Sequence, residues 1–221
     1  MHSLYREQHP IPFVIWHWAN LLSMFFLILS GFYIHYPIFP GLMGVARGIH
    51  FFWMFVLCIS FAFRIIAAFF VKDAIVPGTR EKELDIKNWL PQPENRHQLI
   101  PWVKYYLFFK KTVPISGKYG VLQKIAYLAT IPITLAAAYT GFCLWGPTSQ
   151  WAIFEAGTAW ISTLFNGGVA ANNPMDVRIV HYYIMWVVII FTIAHVYLAN
   201  IYNFSPSKII LFWEETEFEG H

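Results

Sequence analysis

The stretch VRIVHYYIMWVVIIFTIAHVYLAN, residues 177–200, decides the fold. From Ile179 to Asn200 it carries no formal charge, and a helix needs about 20 mostly apolar residues to cross a bilayer. Three further segments are also mostly apolar, and the four predicted spans cover about residues 13–34, 49–71, 122–145 and 178–202. Strand-like alternation is absent, so we expect helices, which satisfy their own backbone groups in lipid. We predict an all-α integral membrane four-helix bundle that forms a single domain over residues 1–221.

The composition is that of a membrane protein. Hydrophobic residues make up 57% of the 221 residues and charged residues 12%, about half the charged share of a soluble domain. The net charge of +3, with no basic stripe, excludes a nucleic-acid partner. Cys58 and Cys143 both lie in apolar runs, so they form neither a disulfide framework nor a thiolate metal site. Membrane lipid is the expected surrounding.

The distribution of Lys and Arg predicts the orientation. The long connection 72–118, between helices 2 and 3, carries nine Lys and Arg residues, whereas the connections 35–48 and 146–178 carry only Arg47 and Arg178. By the positive-inside rule the long loop is cytoplasmic. An even number of spans then places the N and C termini in the cytoplasm as well.

Four histidines lie within the predicted spans, where ionisable side chains are costly and usually functional. His181 and His195 are fourteen residues apart, which returns to nearly the same helix face about 21 Å further along the axis. The span directions put His50 at the depth of His181 near the outer end, and His17 at the depth of His195 near the inner end. Two such imidazole pairs are what two b-type haems require as axial ligands. The alternative for any single histidine is a hydrogen bond between helices.

Four other residues fit the same arrangement. Gly31 follows the histidine of the first span by fourteen residues, and Arg64 follows that of the second span by the same number. The glycine would let a macrocycle approach the backbone, and the arginine would pair with a haem propionate. Arg47 and Arg178 each precede an outer histidine by three residues and could bind the outer propionates. Helix packing, snorkelling and helix ends are the alternatives for these residues.

Together these motifs resemble the di-haem cytochrome b subunit of membrane-bound nickel–iron hydrogenases, a family that also takes in the gamma subunit of respiratory formate dehydrogenases. The matching motifs are WHW with His17, SGFYI with Gly31, RGIHFFWMFVLCISFAFRI with His50 and Arg64, LQKIAYL and YTGFCLW in the third span, and VRIVHYYIMW and AHVYLAN with His181 and His195. In mitochondrial-type cytochrome b two helices each carry two histidines, whereas here only one helix does.

The resemblance implies a multi-pass protein of the prokaryotic cytoplasmic membrane. Electrons would pass from an external catalytic subunit, through an iron–sulfur subunit and two b haems, to quinone, commonly menaquinone, near the cytoplasmic side. Hydrogenase is the first candidate for the partner enzyme. A gamma-type subunit of formate dehydrogenase, or of another redox enzyme, is the alternative.

Two readings from other classes stay open. One is a stand-alone di-haem membrane oxidoreductase, and the other is a haem-free anchor whose histidines are structural. Residues that could line a quinone site at the inner face are His9, Gln123, Lys124, Tyr127, Tyr197 and Asn200.

Overall fold

The computed structural model describes residues 5–7, 11–74, 82–89, 97–112, 114, 121–200, 204–212 and 216–218. The elements are β1 Tyr5–Glu7, α1 Ile11–His35, α2 Met43–Phe70, β2 Lys72–Ala74, β3 Lys82–Leu84, α3 Asp85–Trp89, α4 Leu99–Tyr106, α5 Val121–Leu144, α6 Ala152–Thr163, α7 Pro174–Asn200, α8 Ser205–Phe212 and β4 Thr216–Phe218. The short strands pair antiparallel, β1 with β4 and β2 with β3.

Four of the described helices are long and apolar enough to cross a membrane. They are Ile11–His35, Met43–Phe70, Lys124–Leu144 and Pro174–Asn200. These helices coincide with the four predicted spans, so the all-α membrane architecture is confirmed. The cytoplasmic location of the termini, and the treatment of residues 1–221 as one domain, stay predictions.

Two of the helices begin before the predicted spans, because their first turns precede the apolar runs. Helix α2 begins at Met43 rather than 49, two residues after Gly41, whose φ of 85° suits a residue without a side chain. Helix α7 begins at Pro174 rather than 178. The backbone N–H of Met175 donates to the Asn173 side chain (3.1 Å), and proline suits the first helical position. The sequence Asn-Pro therefore marked the true start.

Backbone contacts divide the chain into two compact units, residues 1–127 with 196–221 and residues 128–195. In the first unit α1 and α2 lie side by side. The Phe26 ring stacks on the Trp53 ring at 4.8 Å between centroids, and the Asn20 side-chain amide donates to the Ser60 hydroxyl (2.8 Å). Helix α4 adds a buried aromatic cluster made of Trp102, Tyr105 and Tyr106.

The second unit is built around the close approach of α6 to α5. Its core consists of Cys143, Ile161 and Val177, with Tyr139 and Phe154 packed against them. The Tyr139 hydroxyl donates to the carbonyl of Ile153 (2.6 Å) and lies directly over Gly157. A Cβ atom at position 157 would come within 2.0 Å of the Tyr139 oxygen, so only glycine fits there.

We predict that Gly157→Ala destabilises the protein by about 1–3 kcal/mol, the usual cost of overpacking a filled site. The measurement is thermal unfolding of the detergent-solubilised protein. Gly146→Ala is the matched control, because a Cβ at that position has no atom within 4 Å. Equal melting temperatures for the two variants would contradict the packing described here.

Candidate functional site

The four histidines predicted as ligands all lie on membrane-spanning helices. His17 is on α1 and His50 on α2, both in the first unit. His181 and His195 are on α7, in the second unit. The structure thus brings His17 and His50 to one pair of packed helices. The pairing of each with a histidine of α7 stays a prediction.

A buried serine of α1 contacts the ring of His50. The Ser30 hydroxyl oxygen lies 3.0 Å from His50 Nδ1 and 2.6 Å from the carbonyl oxygen of Phe26, one turn earlier on its own helix. This polar contact of His50 thus comes from the last two turns of α1.

A buried threonine of α5 has the same relation to His181. The Thr140 hydroxyl oxygen lies 2.8 Å from His181 Nδ1 and 2.7 Å from the carbonyl oxygen of Ala136, again one turn earlier. Sequence analysis missed both hydroxyl groups. The available signal was the tripeptide Ser-Gly-Phe at 30–32 in the first span, matched by Thr-Gly-Phe at 140–142 in the third.

The other two histidines have aromatic neighbours on their own helices. The ring of His17 meets the ring of Trp16 edge-on, at 6.4 Å between centroids. The ring of His195 stacks on that of Phe191 at 6.1 Å with an interplanar angle of 15°. These contacts limit the orientations of both imidazoles within apolar helices.

Arg64, predicted to pair with a haem propionate, is paired with a carboxylate of the chain itself. Its Nη2 lies 2.6 Å from Asp85 Oδ2, and both side chains are at most 5% exposed. The Trp89 indole N–H donates to the same oxygen (2.8 Å), and Phe13 and Trp16 pack against the guanidinium. Sequence analysis missed Asp85 because it lies in the polar connection after the span. The propionate role of Arg64 stays a prediction.

Three predicted cofactor-binding residues lie near the ends of spanning helices. Gly31 follows Ser30 directly, one turn before the end of α1. Arg47 and Arg178 both fall within the first turns of their helices, α2 and α7, and both are exposed. Exposed cations at these positions are free of the cost of burial. Their roles toward a cofactor stay predictions.

The structure describes the side chains of three of the six residues predicted to line a quinone site. The Tyr197 hydroxyl donates to the carbonyl of Tyr106 (3.3 Å), and the Asn200 side-chain oxygen accepts from the Ser207 hydroxyl (2.6 Å). The side chain of Lys124 is buried. His9 and the side chains of Gln123 and Tyr127 lie outside the described part of the structure.

The donor chemistry of these side chains suits haem iron. Haem iron takes four ligands from its porphyrin, so two imidazoles complete its coordination. The residues present therefore fit a b haem.

Comparison with known proteins identifies similar chains. The family model for prokaryotic cytochrome b561 matches residues 8–211, which include all four spanning helices and all four histidines. A probable Ni/Fe-hydrogenase 1 B-type cytochrome subunit of Escherichia coli K12 is 28% identical over 194 residues, covering 85% of this chain and 79% of its own. The probable Ni/Fe-hydrogenase B-type cytochrome subunit of Azotobacter vinelandii is 30% identical over 208 residues, covering 86% and 78%. That of Rhizobium leguminosarum bv. viciae is 26% identical over 220 residues, covering 89% and 80%.

We predict that Asp85→Ala destabilises the protein by about 3–5 kcal/mol, because it leaves the buried Arg64 charge without its carboxylate. Thermal unfolding in detergent measures the loss. Glu83→Gln is the matched control, since it removes an exposed ion pair with Lys87 (3.3 Å) and should cost less than about 1 kcal/mol. Similar losses of stability for the two variants would show that the buried ion pair contributes no more than the exposed one.

Proposed function

Because the chain belongs to the prokaryotic cytochrome b561 family, we propose that it carries electrons across the membrane through two b haems, from a peripheral nickel–iron hydrogenase to quinone. Four histidines on three membrane-spanning helices carry the proposal. The relatives described above, named as Ni/Fe-hydrogenase cytochrome subunits, support hydrogenase as the electron donor. None of them is a formate dehydrogenase subunit, so that alternative partner has no support.

The histidines are proposed to act in two pairs, an outer pair of His50 with His181 and an inner pair of His17 with His195. His50 and His181 each lie seven residues from the start of their helices, α2 and α7. His17 lies six residues from the start of α1, and His195 five residues from the end of α7. With the basic connection in the cytoplasm, α2 and α7 run inward and α1 outward. The members of each pair then lie at equal depth.

The chain would hold each haem between two imidazoles and shield it from water. When bound, the haem supplies an iron that changes between ferric and ferrous states and so carries one electron. Gly31 offers a backbone without a side chain at the depth of the outer pair. Arg47 and Arg178 offer positive charge to the outer propionates, and Arg64 to an inner propionate beside its ion pair with Asp85.

Quinone reduction is proposed to occur at the inner end, near His17 and His195. Tyr197, Asn200 and Lys124 supply polar groups there that an apolar helix end would avoid. Each quinone, for which menaquinone is the first candidate, takes two electrons and two protons to become a quinol. Protons taken from the cytoplasm here, and released outside where the partner's iron–sulfur and catalytic subunits act, would build a proton-motive force.

A stand-alone di-haem oxidoreductase is the alternative function, and co-purification separates the two. Mild detergent extraction of the native membrane should recover the chain with an iron–sulfur subunit and a hydrogenase catalytic subunit. Recovery of a lone chain that exchanges electrons with a small molecule at full rate would overturn the hydrogenase proposal.

We predict that the purified chain carries two low-spin b haems, removable without covalent cleavage because the sequence has no CxxCH motif. His50→Ala and His181→Ala should each remove one spectral component, and His17→Ala and His195→Ala the other. Pyridine haemochrome analysis gives the haem content, and redox titration separates the components. His97→Ala is the matched control, since that histidine lies outside the spans. Loss of the same component from His17→Ala and His181→Ala would refute the pairing.

We also predict that removal of the inner haem blocks electron delivery to quinone. In a His195→Ala variant the hydrogenase should still reduce the outer haem with electrons from hydrogen, while quinol formation falls to background. Stopped-flow absorbance follows the haem, and an added menaquinone analogue reports turnover. Normal turnover to quinone in this variant would mean that quinone is reduced beside the outer haem.

A further inference from the structure

We propose that Ser30 and Thr140 are a matched pair of positioning residues that fix the tautomer and ring orientation of His50 and His181. The inference rests on the proposed function, because it concerns the two histidines assigned to the outer haem. It assigns a role to two side chains that bind neither the iron nor the porphyrin.

The Ser30 hydroxyl donates its hydrogen to a carbonyl of α1, the helix that carries Ser30. The carbonyl oxygen of Phe26 lies 2.6 Å from the Ser30 oxygen, and a carbonyl can only accept. The single hydroxyl hydrogen therefore points at Phe26. The 3.0 Å contact between the Ser30 oxygen and His50 Nδ1 must then have the ring as its donor.

The same reasoning applies to the second unit. The carbonyl oxygens of Ala136 and Ala137 lie 2.7 and 3.1 Å from the Thr140 hydroxyl oxygen, so its hydrogen also remains within its own helix. His181 Nδ1, at 2.8 Å, is therefore the donor to Thr140. Both hydroxyl groups are buried, with 6% of Ser30 and 3% of Thr140 exposed, so neither can exchange its partner for bulk water.

The consequence is the same imidazole tautomer on both histidines. A neutral ring with its proton on Nδ1 carries its lone pair on Nε2, the nitrogen left to coordinate iron. The bond from Nδ1–H to a fixed oxygen also restrains rotation of the ring and raises its basicity as a ligand. Because a more basic axial ligand favours ferric iron, the two hydroxyl groups should lower the potential of the outer haem.

The sequence supports a matched pair. Ser-Gly-Phe at 30–32 and Thr-Gly-Phe at 140–142 place a hydroxyl residue directly before a glycine in the first and third spans. The hydroxyl binds a histidine of the next span, α2 or α7, in each case. Thus the chain uses one local arrangement twice, once in each compact unit.

The test replaces the hydroxyl groups and observes the outer haem directly. Ser30→Ala and Thr140→Val should raise the midpoint potential of the outer haem in a redox titration. They should also shift its low-field EPR signal, which reports the angle between the two axial rings. Haem retention by the outer site, measured as transfer to apomyoglobin, should weaken by roughly 10- to 100-fold. The inner haem should keep its signal and potential.

Conservative variants and a matched control separate this role from a general packing effect. Ser30→Thr and Thr140→Ser keep the oxygen and should restore the native potential and EPR signal. Ser23→Ala removes a buried hydroxyl that also bonds one turn back, to Ala19 (2.7 Å), and should leave both haems unchanged. Loss of the outer haem from Ser30→Ala, restored in Ser30→Thr, would equally support the inference.

Two results would overturn the inference while leaving the proposed function intact. The first is that Ser30→Ala and Thr140→Val both keep two native haem signals, indistinguishable from those of Ser23→Ala. The other is a shift confined to the inner haem. Absence of haem from the wild-type protein, in contrast, would overturn the proposed function itself.

Discussion

The cost of a polar group in lipid is the constraint on which the rest of the structure depends. Away from its ends, a spanning helix pairs its backbone donors and acceptors along its own length, and several hydroxyl side chains do the same. Ser23, Ser30, Thr140 and Thr192 each donate to a carbonyl one turn earlier. A hydroxyl held this way still has lone pairs to offer. In Ser30 and Thr140 these lone pairs accept from a histidine, so the rule that hides a polar side chain also orients a ligand.

The same constraint explains how Arg64, a buried arginine of α2, is tolerated. Arg64 gains a carboxylate from Asp85, three aromatic neighbours and almost complete burial. After α2 the chain folds back to the end of that helix, where the Asp85 N–H donates to the carbonyl of Val71 (3.0 Å). A polar loop thus completes one end of the apolar α1–α2 pair. Each member of this buried pair depends on the other, because removal of one leaves the other charge buried and unpaired.

Much of the fold could be predicted from the sequence, because lipid imposes length and hydropathy on each span. The four spans were identified from apolar runs, and the family from the resemblance of the motifs in those spans to a known family. Helices α2 and α7 begin at Met43 and Pro174, ahead of the apolar runs from which the spans were predicted. The partners of Arg64, His50 and His181 were missed for a different reason. Contacts such as Asp85 with Arg64, or Thr140 with His181, depend on how elements pack, and periodicity along one helix cannot reveal them.

The separation of Arg64 and Asp85 along the chain also decides when their ion pair can form during synthesis. Asp85 follows Arg64 by 21 residues, so a ribosome adding about 5–20 residues per second delivers the carboxylate roughly 1–4 s after the guanidinium. The ion pair can therefore form only after α2 is complete and the connection that follows it has folded back. Until then the guanidinium has to stay hydrated, because an unpaired charge in lipid is costly.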